Sequence, residues 1–297
     1  MKLIKQSFEF INQTDFSLVG IKKHIERCAR VSYKSEDKIT DTSYEKFVNM
    51  LESKGHDRPL EFGTVYLSRT AQKEDNMAWL DKYTYSPWSK FSFGNGSTRI
   101  NGELRNTIYV TTNYRVIKEH HWEDDLQYLC EPTEYHYKRY TVHMILDRGV
   151  MDEFRTHIGL SHLAESTRYC NYSKDKFGNE LTFIKPDWYK GHIEPINNVY
   201  EPGYETSELF LQACEDAESW YLNLLKEGLT PQQARSVLPL GIKSELISCG
   251  FEDAWENFFK RRSPKYGNSG AHPMAAEIAD KLCEEFLESG FIDKKKI

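Results

Sequence analysis

The stretch RTHIGLSHLAESTRYCNY, residues 155–172, is the densest polar run in the chain and the one from which its fold can be argued. In it and just beyond it stand Arg155, His157, Ser161, His162, Glu165, Ser166, Arg168 and Lys174. The hydroxyl of Ser166, two residues from the guanidinium of Arg168, supplies what a phosphate needs: a directed donor and a bidentate cation. Composition alone also allows a solvated helix end followed by a polar loop. A second cationic group lies further on, with Arg235 in ARSVLPL (234–240) and Asn257, Arg261 and Arg262 in NFFKRR (257–262). Arg261 and Arg262 close a helix, where cations meet the negative end of its dipole. That accounts for one arginine, but hardly for both together with Asn257 and Arg235.

Outward from this stretch, Tyr140–Leu146 reads as a strand, ended by the turn Asp147-Arg148-Gly149 and followed by a helix over Met151–Ile158. Upstream, Leu18–Val31 reads as a helix with Val19, Ile21, Ile25 and Val31 as its apolar face. Ser43–Ser53 reads as another, stopped by Gly55. Gly63–Ser68 and Thr107–Val116 are rich in β-branched and aromatic residues, as strands are. Between them, Lys73–Arg105 is a long polar and aromatic excursion, read as a flap, a mobile segment or an extra packing layer. Downstream, Pro186 and Pro195 mark a loop. Ser207–Glu227, Pro231–Val237, Asp253–Arg261 and Pro273–Leu287 read as helices, and Pro239–Cys249 as a strand stopped by Gly250. Helices around a few long strands that need not be parallel point to an α+β fold, with a mainly antiparallel sheet, in one domain over 1–297.

The chain has 297 residues, 39% of them hydrophobic, enough for a real core. A formal charge of −6 argues against a general nucleic-acid binder. The six cysteines form no C-x-x-C pair, as expected of reduced thiols in a cytoplasmic protein. No signal peptide, membrane span or metal site is expected. Neither G-x-G-x-x-G nor a Walker loop occurs, so both standard phosphate cradles are absent.

Four blocks, in order, resemble the flavin-dependent thymidylate synthases: CARVSY (28–33), GHDRPLEFGT (55–64), SHLAESTRY (161–169), and the pair ARSVLPL and NFFKRR, trailed by AHP (271–273). The signature of that family is Arg-His-Arg, two residues, Ser, four residues, Ser, one residue, Arg. His157, Ser161, Ser166 and Arg168 match it, while Thr156 and Ile158 stand where the two flanking arginines would. Arg155 is one residue early, and one step on a helix turns a side chain by about 100°.

The resemblance implies methylation of dUMP at C5, with methylenetetrahydrofolate as carbon donor and reduced FAD, recharged by NADPH, as reductant. It implies no cysteine nucleophile, and active sites formed between the subunits of a homotetramer. By position, Glu165, Ser166, Arg168 and Arg235 would hold dUMP, with Glu153 nearby. Arg262 would face the uracil as the catalytic cation. Ser32, Thr64, Arg155, His157 and Asn257 would line the FAD site. Two rival expectations remain: a paralogue with another pyrimidine nucleotide or altered flavin use, and a non-catalytic nucleotide-binding protein.

Overall fold

The computed structural model describes residues 1–190, 204–267 and 270–297. Strands β1 (Lys2–Ile4) and β2 (Ser7–Phe10) precede helices α1 (Leu18–Val31) and α2 (Ser43–Ser53). Strand β3 (Thr64–Ala71), helix α3 (Lys73–Thr84), strands β4 (Lys90–Ile100) and β5 (Glu103–Asn113) and helix α4 (Tyr114–Glu119) follow. Next come β6 (Arg139–Asp147), α5 (Arg148–Arg155), β7 (Ser161–Ala164) and β8 (Thr182–Ile184). The chain continues through α6 (Tyr204–Lys226), α7 (Pro231–Ala234), β9 (Lys243–Phe251), α8 (Glu252–Arg262) and α9 (Pro273–Glu288). Pro195 lies outside the described residues.

Two antiparallel sheets dominate, one ordered β2-β6-β9-β7 and the other β3-β5-β4, beside a small parallel pair of β1 and β8. The α+β expectation therefore stands. One core packs α1 and α2 on β3 and β5, and another packs α5, α8 and α9 on β6 and β9. No helix among the described residues is long and apolar enough to cross a membrane.

Several local expectations change for identifiable reasons. Val19 is 43% exposed, because the buried stripe of α1 runs through Ile21, Ile25 and Cys28 at helical spacing. The strand expected over Thr107–Val116 stops at Asn113, whose side chain accepts from the Val116 amide at 3.1 Å and starts α4 instead. Asp147 does the same for α5, accepting from the Val150 amide at 2.8 Å, so the helix begins earlier than Met151 and ends at Arg155. The 73–105 excursion is a helix and a β-hairpin arm whose Trp79 and Tyr83 are buried in the first core, so packing describes them and a flap does not.

The end of α2 shapes the site. Gly55 adopts φ +63°, its amide reaches the Glu52 carbonyl at 3.1 Å, and the His56 amide reaches that of Leu51 at 2.9 Å. This glycine-dependent reversal delivers His56, Asp57 and Arg58 to the end of α1.

Gly250 lies within β9, opposite Tyr140, and does not stop the strand. A Cβ there would meet Leu160 Cδ2 at 2.5 Å and the Gly159 carbonyl at 3.1 Å. The bare backbone lets the segment leading into β7 lie close against β9. Gly250→Ala should lower stability by about 1–3 kcal/mol in urea unfolding, and Gly250→Val by more; equal stability of all three proteins would show that this approach is not constrained.

Candidate active site

Strand β7 is short, but everything of chemical interest lies around it. It pairs with β9, placing Ser161 opposite Cys249 and His162 opposite Ser248. His162 Nε2 lies 3.2 Å from the His157 carbonyl, which can only accept, so Nε2 carries the proton. Nδ1 is then the acceptor for the Ser248 hydroxyl at 2.8 Å. His162 is thus a buried neutral tie between β9 and the backbone of His157. Burial, with smaller effects from His157, Arg58 and Arg155, lowers its protonation to about 4, against a hydrogen bond to the His157 backbone.

Just before β7, a pocket of about 280 Å³ is lined by Thr156, His157, Ile158, Asn257, Arg261 and Arg262. The segment just after α5 supplies the first three and the last turns of α8 the others. His157 is buried edge-on against Phe258, with ring centroids 5.4 Å apart. Burial first, then Arg262 and Arg261, lowers its protonation to about 4, so it is neutral at ordinary pH. Its Nε2 is buried without a partner among the described residues. Arg261 donates to Asn257 Oδ1 at 3.2 Å. Arg262 is ion-paired through Nη1 with the Glu153 carboxylate, and its Nη2 donates to the Glu153 carbonyl at 3.2 Å. The Nε of Arg262 is buried with no partner among the described residues. Arg155 turns away to Asp152 at 3.1 Å and does not line this pocket, while Ile158 is 90% exposed at its edge.

Just after β7, the Ser166 amide donates to the Ser32 carbonyl at 3.1 Å. Arg235 donates to Thr167 Oγ1 at 3.2 Å, and Arg168 to Gln232 Oε1 at 3.1 Å. Two exposed guanidinium groups therefore flank the Ser166–Thr167 turn, and neither has a carboxylate partner among the described residues. Glu165 behaves differently: it is 1% exposed and accepts from Tyr172 and Lys243, both at 2.8 Å. Its carboxylate belongs to a buried charge network and does not face this cluster. Thr64 is also fully engaged, with Gln13 on its backbone and Arg139 on its hydroxyl.

Ser32 lines a second pocket, of about 480 Å³, with Tyr33, His56, Asp57, Arg58 and Arg115. Arg58 and Arg115 escaped the sequence reading. Arg58 sits inside a quoted block, and the Gly55 reversal before it was the available signal; Arg115 was counted as a strand residue.

A family profile described as Thymidylate synthase complementing protein matches residues 67–288. The chain belongs to that family, the one its motifs resemble. Two solved structures are similar to this chain, both of a UMP/dUMP methylase, PolB, from Streptomyces cacaoi. The complex with 5-Br UMP is 15% identical, with 100% of this chain and 94% of that chain covered and a TM-score of 0.47. The complex with 5-Br dUMP is 16% identical, with 100% and 95% covered and a TM-score of 0.43. No curated protein matches the sequence.

Folding lowers the protonation of His162 from the ordinary 6.5 to about 4. The unfolded chain therefore takes up this proton first; the stabilisation is complete above pH 6.5 and is lost as pH falls towards 4. The loss is on the order of 3 kcal/mol. Urea unfolding of His162→Gln should show a correspondingly shallower decline over this window; an unchanged slope would show that His162 does not titrate as described.

Proposed function

We propose that this protein methylates a pyrimidine nucleotide, converting dUMP to dTMP with methylenetetrahydrofolate as carbon donor and FAD, reduced by NADPH, as reductant. One observation carries the reading: in a member of this family, Arg262 shares a pocket with His157 and Asn257 while Glu153 fixes two of its nitrogens. A guanidinium held this way costs no reorganisation when negative charge develops on a uracil ring as C5 becomes nucleophilic. Its Nε–H has no partner among the described residues and is a donor left for a ligand.

The residues present fit a flavin. His157 Nε2 and Arg262 Nε are buried polar atoms without partners among the described residues, which a ring with carbonyl and imino groups would satisfy. The neutral His157 and Asn257 would hold that ring, and the bound flavin supplies the electrons that reduce the transferred carbon. Ser166, Arg168 and Arg235 bind the nucleotide phosphate, with the hydroxyl directing and the two guanidinium groups neutralising it. A cysteine nucleophile is disfavoured, because burial pushes the thiol of Cys170, the one nearest this cluster in sequence, up to about 12. Assembly as a homotetramer, with sites shared between copies, follows from the family resemblance.

Thr156 and Ile158 motivate a second reading, a paralogue with altered flavin use, because the exposed sec-butyl side chain of Ile158 at the pocket edge offers a flavin no hydrogen bond. Tritium release from dUMP labelled at C5 separates the two. Under the main reading the wild-type protein releases tritium, and Arg262→Ala lowers the rate about a hundredfold or more with the thermal unfolding midpoint nearly unchanged. Wild-type rates in Arg262→Ala would remove Arg262 from its assigned role.

A further inference from the structure

Loss of the two motif arginines leaves the cofactor's most highly charged group, its diphosphate, without cations at positions 156 and 158. We propose that Arg58 takes this group in the pocket between the end of α1 and the 55–59 loop; the inference rests on the flavin reading above. The pocket is large enough for such a group, at about 480 Å³, and Ser32 and Arg115 share its wall.

Charge pairing singles out Arg58. Arg115 lies between Glu61 and Glu119, the latter at 3.1 Å, and is already neutralised. Arg58 has no ion-pair or hydrogen-bond partner among the described residues. An exposed guanidinium with no partner keeps its five donors for a ligand, and its planar fork matches a phosphate bidentately. Asp57 lines the same pocket and opposes the charge of Arg58.

The strand beneath gives an independent pointer. Leu163 of β7 lines this pocket, and Ser161, two residues earlier, lies on the same face of the strand. The Ser161 hydroxyl is buried, with the residue 3% exposed, and has no partner among the described residues. The 58–62 turn that Arg58 opens packs against β7, so Arg58 lies close to that strand. Leu163 is five residues beyond Ile158, so the two pockets are separated by at most about 18 Å of chain. A dinucleotide whose ring occupies the His157 pocket would carry its diphosphate along this face towards Arg58.

Titrating the full-length protein with FAD and with riboflavin, which has no phosphate, and reading flavin fluorescence tests this. Arg58→Gln should weaken FAD about tenfold or more and leave riboflavin unchanged. Arg58→Lys, which keeps the charge and loses the fork, should fall between, and Asp57→Asn should tighten FAD. Adding Thr156→Arg and Ile158→Arg to Arg58→Gln should recover FAD binding. FAD affinity equal to wild type in Arg58→Gln overturns the proposal, as does a parallel loss of riboflavin, which would mark a damaged pocket. If the wild-type protein binds neither compound, the flavin reading fails and takes this inference with it; if it binds both and only the Arg58 variants are silent, this inference alone fails.

Discussion

Strand β9 is bonded to β6 along one edge and to β7 along the other, and the candidate site hangs from that ladder. From Ser244 to Phe251 every residue of β9 is buried, so its register is fixed by both faces. Gly250 lets the 159–160 segment lie against it, and Ser248 ties in His162, which holds the His157 carbonyl. At its far end β9 runs directly into α8, which carries Asn257, Arg261 and Arg262. A slip of one residue in β9 would move both walls of the His157 pocket.

On this frame the charges divide into two groups. Glu165, Lys243, Glu245, Lys34 and His143 are satisfied by one another in a partly buried network. Burial opposes ionisation of Glu245, but His143, Lys243 and Lys34 outweigh it and hold its carboxyl well below the usual range. Such groups order the structure and have little left for a ligand. Arg58, Arg168 and Arg235 are the opposite case, exposed and free of carboxylate partners among the described residues. Arg262 lies between these extremes, anchored by Glu153 with its Nε–H unspent. These four arginines therefore keep donors for an anion near one short strand.

Much of this was legible in the sequence, and the exceptions have physical causes. Helix α2 has the bounds its pattern implied, because Gly55 punctuates it clearly. Strand β7 was not legible as a strand, because two of its four residues are polar and its pairing partner, β9, is distant in sequence. Glu165 looked like a ligand for dUMP, yet Lys243 and Tyr172, both far or buried partners invisible to motif spacing, claim it. His157, Asn257 and Arg262 line one pocket although about a hundred residues of sequence separate the first from the other two, a proximity that spacing along the chain does not reveal. Thr64, placed by the 55–64 block, and Arg155, one residue ahead of the family signature, have other partners here, Thr64 with Gln13 and Arg139, Arg155 with Asp152. Arg58 and Arg115 could not be ranked without knowing which of them a glutamate already neutralised.

The account's central claim is spatial: nucleotide phosphate on one side of β7 and flavin ring on the other. A crystal structure of the protein with dUMP and FAD tests it most directly. The account predicts phosphate density among Ser166, Arg168 and Arg235, and an isoalloxazine ring against His157 and Asn257. Density for both ligands away from β7, with these side chains unchanged, would contradict it.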